Sequence, residues 1–209
     1  GVEVSPVQDV AIINVLARPP ELRISKNVNV YRHDSPFGND SDLTVGVDNQ
    51  VHPTVWYRII VRNVGGRAAT SLSLVDSMGR LPRDSDCPRP PDSLGPDDTY
   101  TCFYSRTFSA QSTVQNSATV DSAQTPAVST NATVRIETCS SPRLVVPNLV
   151  EQPDGDPRTV AEARSVWTGA GFTGRFTPAN GSDNRDVVSQ DLDPFDCRSA
   201  STDVRVTHE

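Results

Sequence analysis

Between residues 20 and 137 the chain is cut into short runs that alternate apolar and polar residues, each bounded by Pro, Gly, Asn, Asp or Ser. The clearest runs are Leu22 to Val30, Val55 to Val61, Leu72 to Val75, Tyr100 to Phe108, Val114 to Val120 and Ala132 to Ile136. A period of two puts successive side chains on opposite faces of a strand, and a helix cannot satisfy it. Several short strands punctuated by turn residues bury their apolar faces best as two packed sheets, so a β-sandwich is expected for residues 19 to 137.

The remainder changes period. Val160, Ala163, Val166, Trp167 and Ala170 fall at helical spacing, Thr159 and Glu162 form a Thr-x-x-Glu capping box, and Gly171 stands where a helix ends. After it come Phe172 to Thr177, Asp186 to Gln190 and Thr202 to Thr207, short runs rich in branched or aromatic residues and separated by turn formers. One helix on a three-stranded sheet follows for residues 138 to 209, and the whole is mainly β. With 209 residues and 35% hydrophobic content, the chain holds two modest cores rather than one large one.

The four cysteines stand at positions 87, 102, 139 and 197, in neither a Cys-x-x-Cys redox pair nor a zinc spacing. Two disulfides are the better reading, and three pairings of four cysteines exist. Cys87 and Cys102 lie in the first domain while Cys139 and Cys197 bracket the second, which assigns 87 to 102 and 139 to 197. Loop closure would contribute about 3 and about 4 kcal/mol. Such bonds place the chain in an oxidising compartment, outside the cell.

Two segments resemble known families of bacterial surface proteins. Val146-Pro147-Asn148-Leu149-Val150, the helix from Thr159 to Gly171-Phe172, and Asp186-Val-Val-Ser-Gln190 together resemble a PASTA domain over about a third of the chain. The connection Glu151 to Arg158 and the loop Pro178 to Arg185 are longer than that family's. Tyr57-Arg-Ile-Ile-Val-Arg-Asn63-Val-Gly65, Ser73-Leu-Val-Asp76, Leu94 to Cys102 and Asn116-Ser-Ala-Thr-Val120 are similar to the Ig-like bacterial surface repeat called domain of unknown function 11. That resemblance implies an Ig-like sandwich within a tandem array of neighbouring repeats of the same chain. The sequence carries an echo of such an array. Asp9 to Leu16, Arg-Pro-Pro and Glu21 to Ile24 parallel Asn131 to Ile136, Ser-Ser-Pro and Arg143 to Val146, each a strand, a proline joint and a new strand. Residues 1 to 18 are accordingly expected to be the last strand of a preceding repeat or an extra N-terminal strand. A chain opening on Gly1 rather than Met is expected to be an excised piece.

Lys26 is the only lysine among nineteen basic residues. By strand period it shares a face with Leu22, Ile24, Val28 and Val30, while Asp76 shares one with Leu72 and Leu74, and Asn116 with Ala118 and Val120. All three polar residues therefore point to the core. A buried lysine and aspartate are costly unless paired, and with an asparagine they form the set needed for an intramolecular isopeptide bond. Desolvation would free the amine of Lys26 to attack the Asn116 carboxamide while Asp76 in its acid form passes protons. The bland readings are a lysine snorkelling past the sheet edge, an aspartate closing a turn and an asparagine serving backbone groups.

Net charge of -7 argues against nucleic acid and anionic membranes as partners. No apolar run reaches the length of a membrane span. His33, His52 and His208 are scattered, with no metalloprotease, nucleophile-elbow or phosphate-loop motif around them, so no enzyme, cofactor or metal centre is expected. The carboxylates at Asp34 to Asp48 and Asp183 to Asp193 could coordinate calcium through loop oxygens, but neither run has the EF-hand pattern, and solvated acidic loops are the commoner explanation. The function expected is that of a non-enzymatic module of a bacterial cell-surface stalk, adhesin or fibre. The competing reading, implied by the PASTA resemblance, is a binder of peptidoglycan or cell-wall fragments, either alone or as the ectodomain of a membrane sensor. Arg164, Arg175 and Arg185 are its candidate carboxylate contacts.

Overall fold

The structure is a computed structural model that describes residues 16 to 32, 38 to 49, 51 to 84, 86 to 152, 156 to 178 and 183 to 209. The expected strand at residues 1 to 18 falls almost wholly outside the described residues, as does His33. Among the described residues, fourteen strands and one helix run in the order β1 (Leu22–Asn29), β2 (Asp42–Val47), β3 (Thr54–Asn63), β4 (Ala69–Thr70), β5 (Ser73–Asp76), β6 (Ser93–Leu94), β7 (Thr99–Thr107), β8 (Ser112–Ser122), β9 (Thr125–Thr138), β10 (Arg143–Val145), α1 (Val160–Gly169), β11 (Phe176–Thr177), β12 (Val187–Gln190), β13 (Cys197–Ser199) and β14 (Val204–His208).

The N-terminal lobe is a β-sandwich. Antiparallel β1, β3 and β7 form one sheet, and β2, β9, β8 and β5 form the other, with β4 and β6 as a short extra ribbon. Alternation decides which side chains go in: Val55, Tyr57, Ile59 and Val61 of β3 meet Ala118 and Val120 of β8 and Ala132, Val134 and Ile136 of β9 in one buried cluster. β1 faces this cluster with Leu22, Lys26 and Val28, all buried.

Two strands depart from the expectation. Part of the stretch expected to be a solvated acidic loop, Asp34 to Asp48, is β2, which runs parallel to β9 from Asp42 opposite Thr133 to Val47 opposite Thr138. Its acidic flank obscured it: Val45 and Val47 are buried, while Asp42 stays at the exposed end beside Arg135, 3.5 Å away. Asp48 binds two backbone N–H groups, that of Val51 at 2.7 Å and that of Val145 at 3.1 Å. β9 begins at Thr125 rather than Ala132, because its first half is the outer arm of a hairpin with β8. That arm is held by polar cross-strand pairs such as Thr119 to Ser129, 2.7 Å between hydroxyls, so it carries little apolar alternation.

The C-terminal lobe packs α1 on a sheet of order β11, β14, β12. The capping box forms as expected: the Thr159 hydroxyl accepts from the Glu162 N–H at 3.3 Å, and the Glu162 carboxylate accepts from the Thr159 N–H at 2.9 Å. Val160, Ala163 and Trp167 face inward to Val146, Leu149, Val187, Val204 and Val206. Of the expected strand Phe172 to Thr177, only Phe176–Thr177 pairs. Gly171, at φ 88°, turns the chain back so that the Phe172 ring stacks on Trp167 with centroids 3.8 Å apart.

The seam between the lobes is shared. Cys139, Val145 and Phe195 are buried in the sandwich core although they follow residue 137 in sequence. The Gly46 N–H of β2 donates to the Phe195 carbonyl at 2.5 Å, and β10 pairs with β13 across this joint. Gly46 has to be glycine, since a Cβ would lie 2.7 Å from the Phe195 oxygen and 2.9 Å from the Cys139 sulfur.

A candidate crosslinking site between the sheets

The register of the sandwich brings Lys26, Asp76 and Asn116 together. Lys26 sits on β1 opposite Ile59 of β3, in one sheet, and its four-carbon stem crosses the core to the other. Asp76 is the last residue of β5, opposite Ala118 of β8. Asn116 lies two residues before Ala118, on the same inward face, so it is the diagonal neighbour of Asp76 across that strand pair. The Lys26 and Asp76 side chains are 0% and 1% exposed, and Asn116 is fully buried.

The polar side-chain atoms of Lys26, Asp76 and Asn116 are all engaged. The Lys26 ammonium donates to Asp76 Oδ2, and the same oxygen accepts the Tyr104 hydroxyl at 2.6 Å. The other carboxylate oxygen accepts the Met78 N–H at 2.9 Å, so Asp76 closes a local turn as well as holding the lysine. Asn116 donates from Nδ2 to the Tyr104 oxygen at 2.8 Å. Its Oδ1 accepts the Ser77 hydroxyl at 3.1 Å, and Ser77 Oγ in turn accepts the Ser117 N–H at 2.8 Å.

Two tyrosines roof the ammonium. Tyr57 of β3 and Tyr104 of β7 are direct cross-strand partners whose rings stack 5.2 Å apart, and Lys26 Nζ lies 5.2 and 5.5 Å from their centroids. Burial dominates the electrostatics. It pulls the Lys26 pKa down from 10.5, against the opposing hydrogen bond and charge of Asp76, with Arg106 adding a smaller push in the same direction as burial. Burial pushes Tyr57 up to about 12, and it drives Tyr104 higher still, aided by the hydrogen bond to Asp76. Both phenols therefore stay protonated, and in this resting arrangement Tyr104 donates to Asp76 and accepts from Asn116.

Sequence reasoning missed Tyr104, Tyr57 and Ser77. The tyrosines lie on the inward face of their strands with Cys102 and Ile59, so period two placed them in the core, but only the β3–β7 register shows that they converge on Lys26. Ser77 follows β5 in the turn and carried no periodic signal.

Both disulfides form as expected, Cys87 with Cys102 and Cys139 with Cys197, and they point to an oxidising setting. The expected arginine contacts are not gathered into a site. Arg164 is held by Asp183 at 2.9 Å and by the Pro178 carbonyl at 3.1 Å, with its guanidinium against the Phe176 ring. Arg175 and Arg185 are exposed. The cleft between the lobes, about 170 Å³, is lined by Trp56, His52, Asn148, Glu151 and Arg158 among others, and by none of those three arginines. Among the described residues no cluster of His, Cys, Asp or Glu could hold a metal ion, and no helix is long and apolar enough to cross a membrane.

By fold and covalent bonds, then, the chain is a mainly β, disulfide-bonded protein built on a sandwich. No protein-family model matches it, and no curated protein does. Among solved structures it is similar to the crystal structure of the CARDB domain of the PF1109 protein from Pyrococcus furiosus in complex with di-metal ions. The identity is 17%, over 62% of this chain and 99% of that one, with a TM-score of 0.38. The solution NMR structure of the same domain matches at 18% identity over 56% and 95%, with a TM-score of 0.35. Neither is a PASTA domain or a repeat of the domain of unknown function 11 type, and at this level the likeness carries nothing about function.

Proposed function

We propose that the chain is a non-enzymatic module of a bacterial cell-surface stalk, adhesin or fibre protein, working outside the cell as a stiff spacer with a PASTA-like segment at its C-terminal end. The observation that carries this reading is the Cys139–Cys197 disulfide at the seam. It joins the residue after β9 of the sandwich to β13 of the helical lobe, and both sulfurs lie against Gly46 of β2. A covalent tie packed into a shared core resists rotation of one lobe against the other, which is what a load-bearing spacer needs and a simple ligand-binding module does not. The second disulfide and the cross-sheet lysine cluster add to the same picture of a fold braced for conditions outside the cell.

Small-angle scattering of the oxidised protein, paired with a pull-down on purified peptidoglycan, tests the reading. The expected result is one fixed lobe arrangement and no retention above a control protein. Retention that Arg175→Ala abolishes would overturn it in favour of the cell-wall binder, and lobes that reorient freely while oxidised would overturn the stiff spacer.

A further inference from the structure

We propose that Lys26 and Asn116 become joined by a side-chain amide that the folded chain forms by itself, with Asp76 moving the protons and with Tyr104 and Ser77 positioning the carboxamide.

The geometry supplies each part of that reaction. An ammonium sealed from water is a poor resting state, because it has lost its hydration and rests on one carboxylate and two ring faces. Moving one proton from Lys26 Nζ to the Asp76 oxygen it already touches puts two neutral groups, an amine and a carboxylic acid, in place of two buried charges. The depressed basicity of Lys26 acts in the same direction. The free amine is then a buried nucleophile linked to Asn116 through the Asp76 carboxylate and the Tyr104 hydroxyl.

Attack forms the bond from Nζ to Cγ of Asn116 and moves the carbonyl electron pair onto Oδ1. That oxygen already faces the Ser77 hydroxyl at 3.1 Å, a donor aimed where negative charge develops. The acid proton of Asp76 passes to Nδ2 by way of the Tyr104 hydroxyl, which touches both groups, at 2.6 Å from Asp76 and 2.8 Å from Nδ2. The Cγ–Nδ2 bond breaks, ammonia leaves, and Asp76 recovers a proton from the attacking nitrogen. Atoms balance: one amine and one primary amide give one secondary amide and one ammonia. No oxidant, metal or nucleotide takes part.

Asn116 rather than Asp76 is the acceptor for two reasons. Asp76 carries the proton that the leaving group needs, so spending it as the acceptor would leave the reaction without a proton carrier, while the carboxamide of Asn116 expels ammonia with that proton supplied through Tyr104. The Ser77 donor is also on the Asn116 carbonyl and not on Asp76.

The single lysine makes the test sharp. The denatured, fully reduced chain is expected to weigh one ammonia less than its sequence and to resist cleavage by a lysine-specific protease, whose only site is Lys26. Digestion at arginine should yield a branched species joining residues 24 to 32 with residues 107 to 135. Lys26→Arg and Asp76→Asn should each restore the full mass. The full sequence mass with clean cleavage after Lys26 overturns the proposal, and loss of a water in place of ammonia overturns Asn116 as the acceptor. Should either variant fail to fold, the mass and branched peptide of the unaltered chain decide the matter alone. The stalk reading survives a negative result, because it rests on the seam disulfide.

Discussion

Removing the seam disulfide with the pair Cys139→Ala and Cys197→Ala should lower the stability of the helical lobe by about 4 kcal/mol. The bond closes a loop of 58 residues, and the chain-entropy relation gives that figure at room temperature. Alanine rather than serine is the right replacement, because the sulfurs lie in the sandwich core beside Gly46 and a hydroxyl would be buried without a partner. The two tryptophans make the assay specific, since Trp56 reports on the sandwich and Trp167, fully buried, on the helical lobe. With one or the other replaced by Phe, urea unfolding of the oxidised protein should show a single midpoint for both probes. In the alanine pair the Trp167 midpoint should fall by about 2 M, taking a slope of about 2 kcal/mol per molar for a lobe of this size, while the Trp56 midpoint moves much less. Coincident midpoints in the alanine pair, or a Trp167 shift below about 0.5 M, would refute the claim that this bond braces the seam.

Three smaller perturbations probe the elements around that seam. Thr159→Ala removes the hydroxyl that caps α1 and should cost about 1 kcal/mol, read as a lower Trp167 midpoint with an unchanged Trp56 midpoint. The Glu162 carboxylate is held below 4.5 by hydrogen bonds from the Thr159 backbone and hydroxyl, so its contribution is fully present above the unfolded value and is lost as pH falls through the lower folded one. Glu162→Gln should therefore flatten the acid limb of a Trp167 stability profile below about pH 4.5, and an unchanged limb would count against the capping box. Gly46→Ala pushes a methyl to 2.7 Å from the Phe195 carbonyl and should destabilise by about 1 to 3 kcal/mol in thermal unfolding, with loss of the Gly46 to Phe195 hydrogen bond visible in amide exchange.

The parts of this protein that the sequence exposes are those in which one local period decides the outcome. α1 is one, since its inward face, its capping box and the terminating glycine all lie within thirteen residues of chain, Thr159 to Gly171. The inward direction of Lys26, Asp76 and Asn116 is another, because alternation fixes a side chain's face before its neighbours are known. Local pattern falls short where pairing is long-range or polar. β2 was hidden by its acidic flank and is defined by a parallel partner some ninety positions away, Thr133 opposite Asp42. The first half of β9 is a strand because β8 pairs with it, and its own residues say only that it is polar and exposed. The onset of α1 was legible as a change of period, but the placement of Phe195 and Cys139 in the sandwich core was not. That follows from the seam, where β10, β13 and β2 meet, and no single segment encodes it.

The covalent ties, taken with their places in the fold, add to what a chain with only 35% hydrophobic residues gains from burial alone. Cys87–Cys102 pins the long loop after β5 to the centre of β7, within one lobe. Cys139–Cys197 pins one lobe to the other. Neither joins β1, β3 and β7 to the sheet of β2, β9, β8 and β5. The Lys26 cluster does cross between them, from β1, near the start of the described chain, to β5 and β8 in the opposite sheet. An ion pair there resists separation only as long as water stays out. An amide to Asn116 would take about 90 residues out of the extensible length, about 300 Å of contour at full extension, much as the seam disulfide removes its 58-residue loop. Tension would then pass from β1 directly to β8 and leave the Tyr57 and Tyr104 stack, the Asp76 turn and most of the core unloaded. On this reasoning the one lysine in the chain stands where a permanent bond would shield the largest stretch of the sandwich from force.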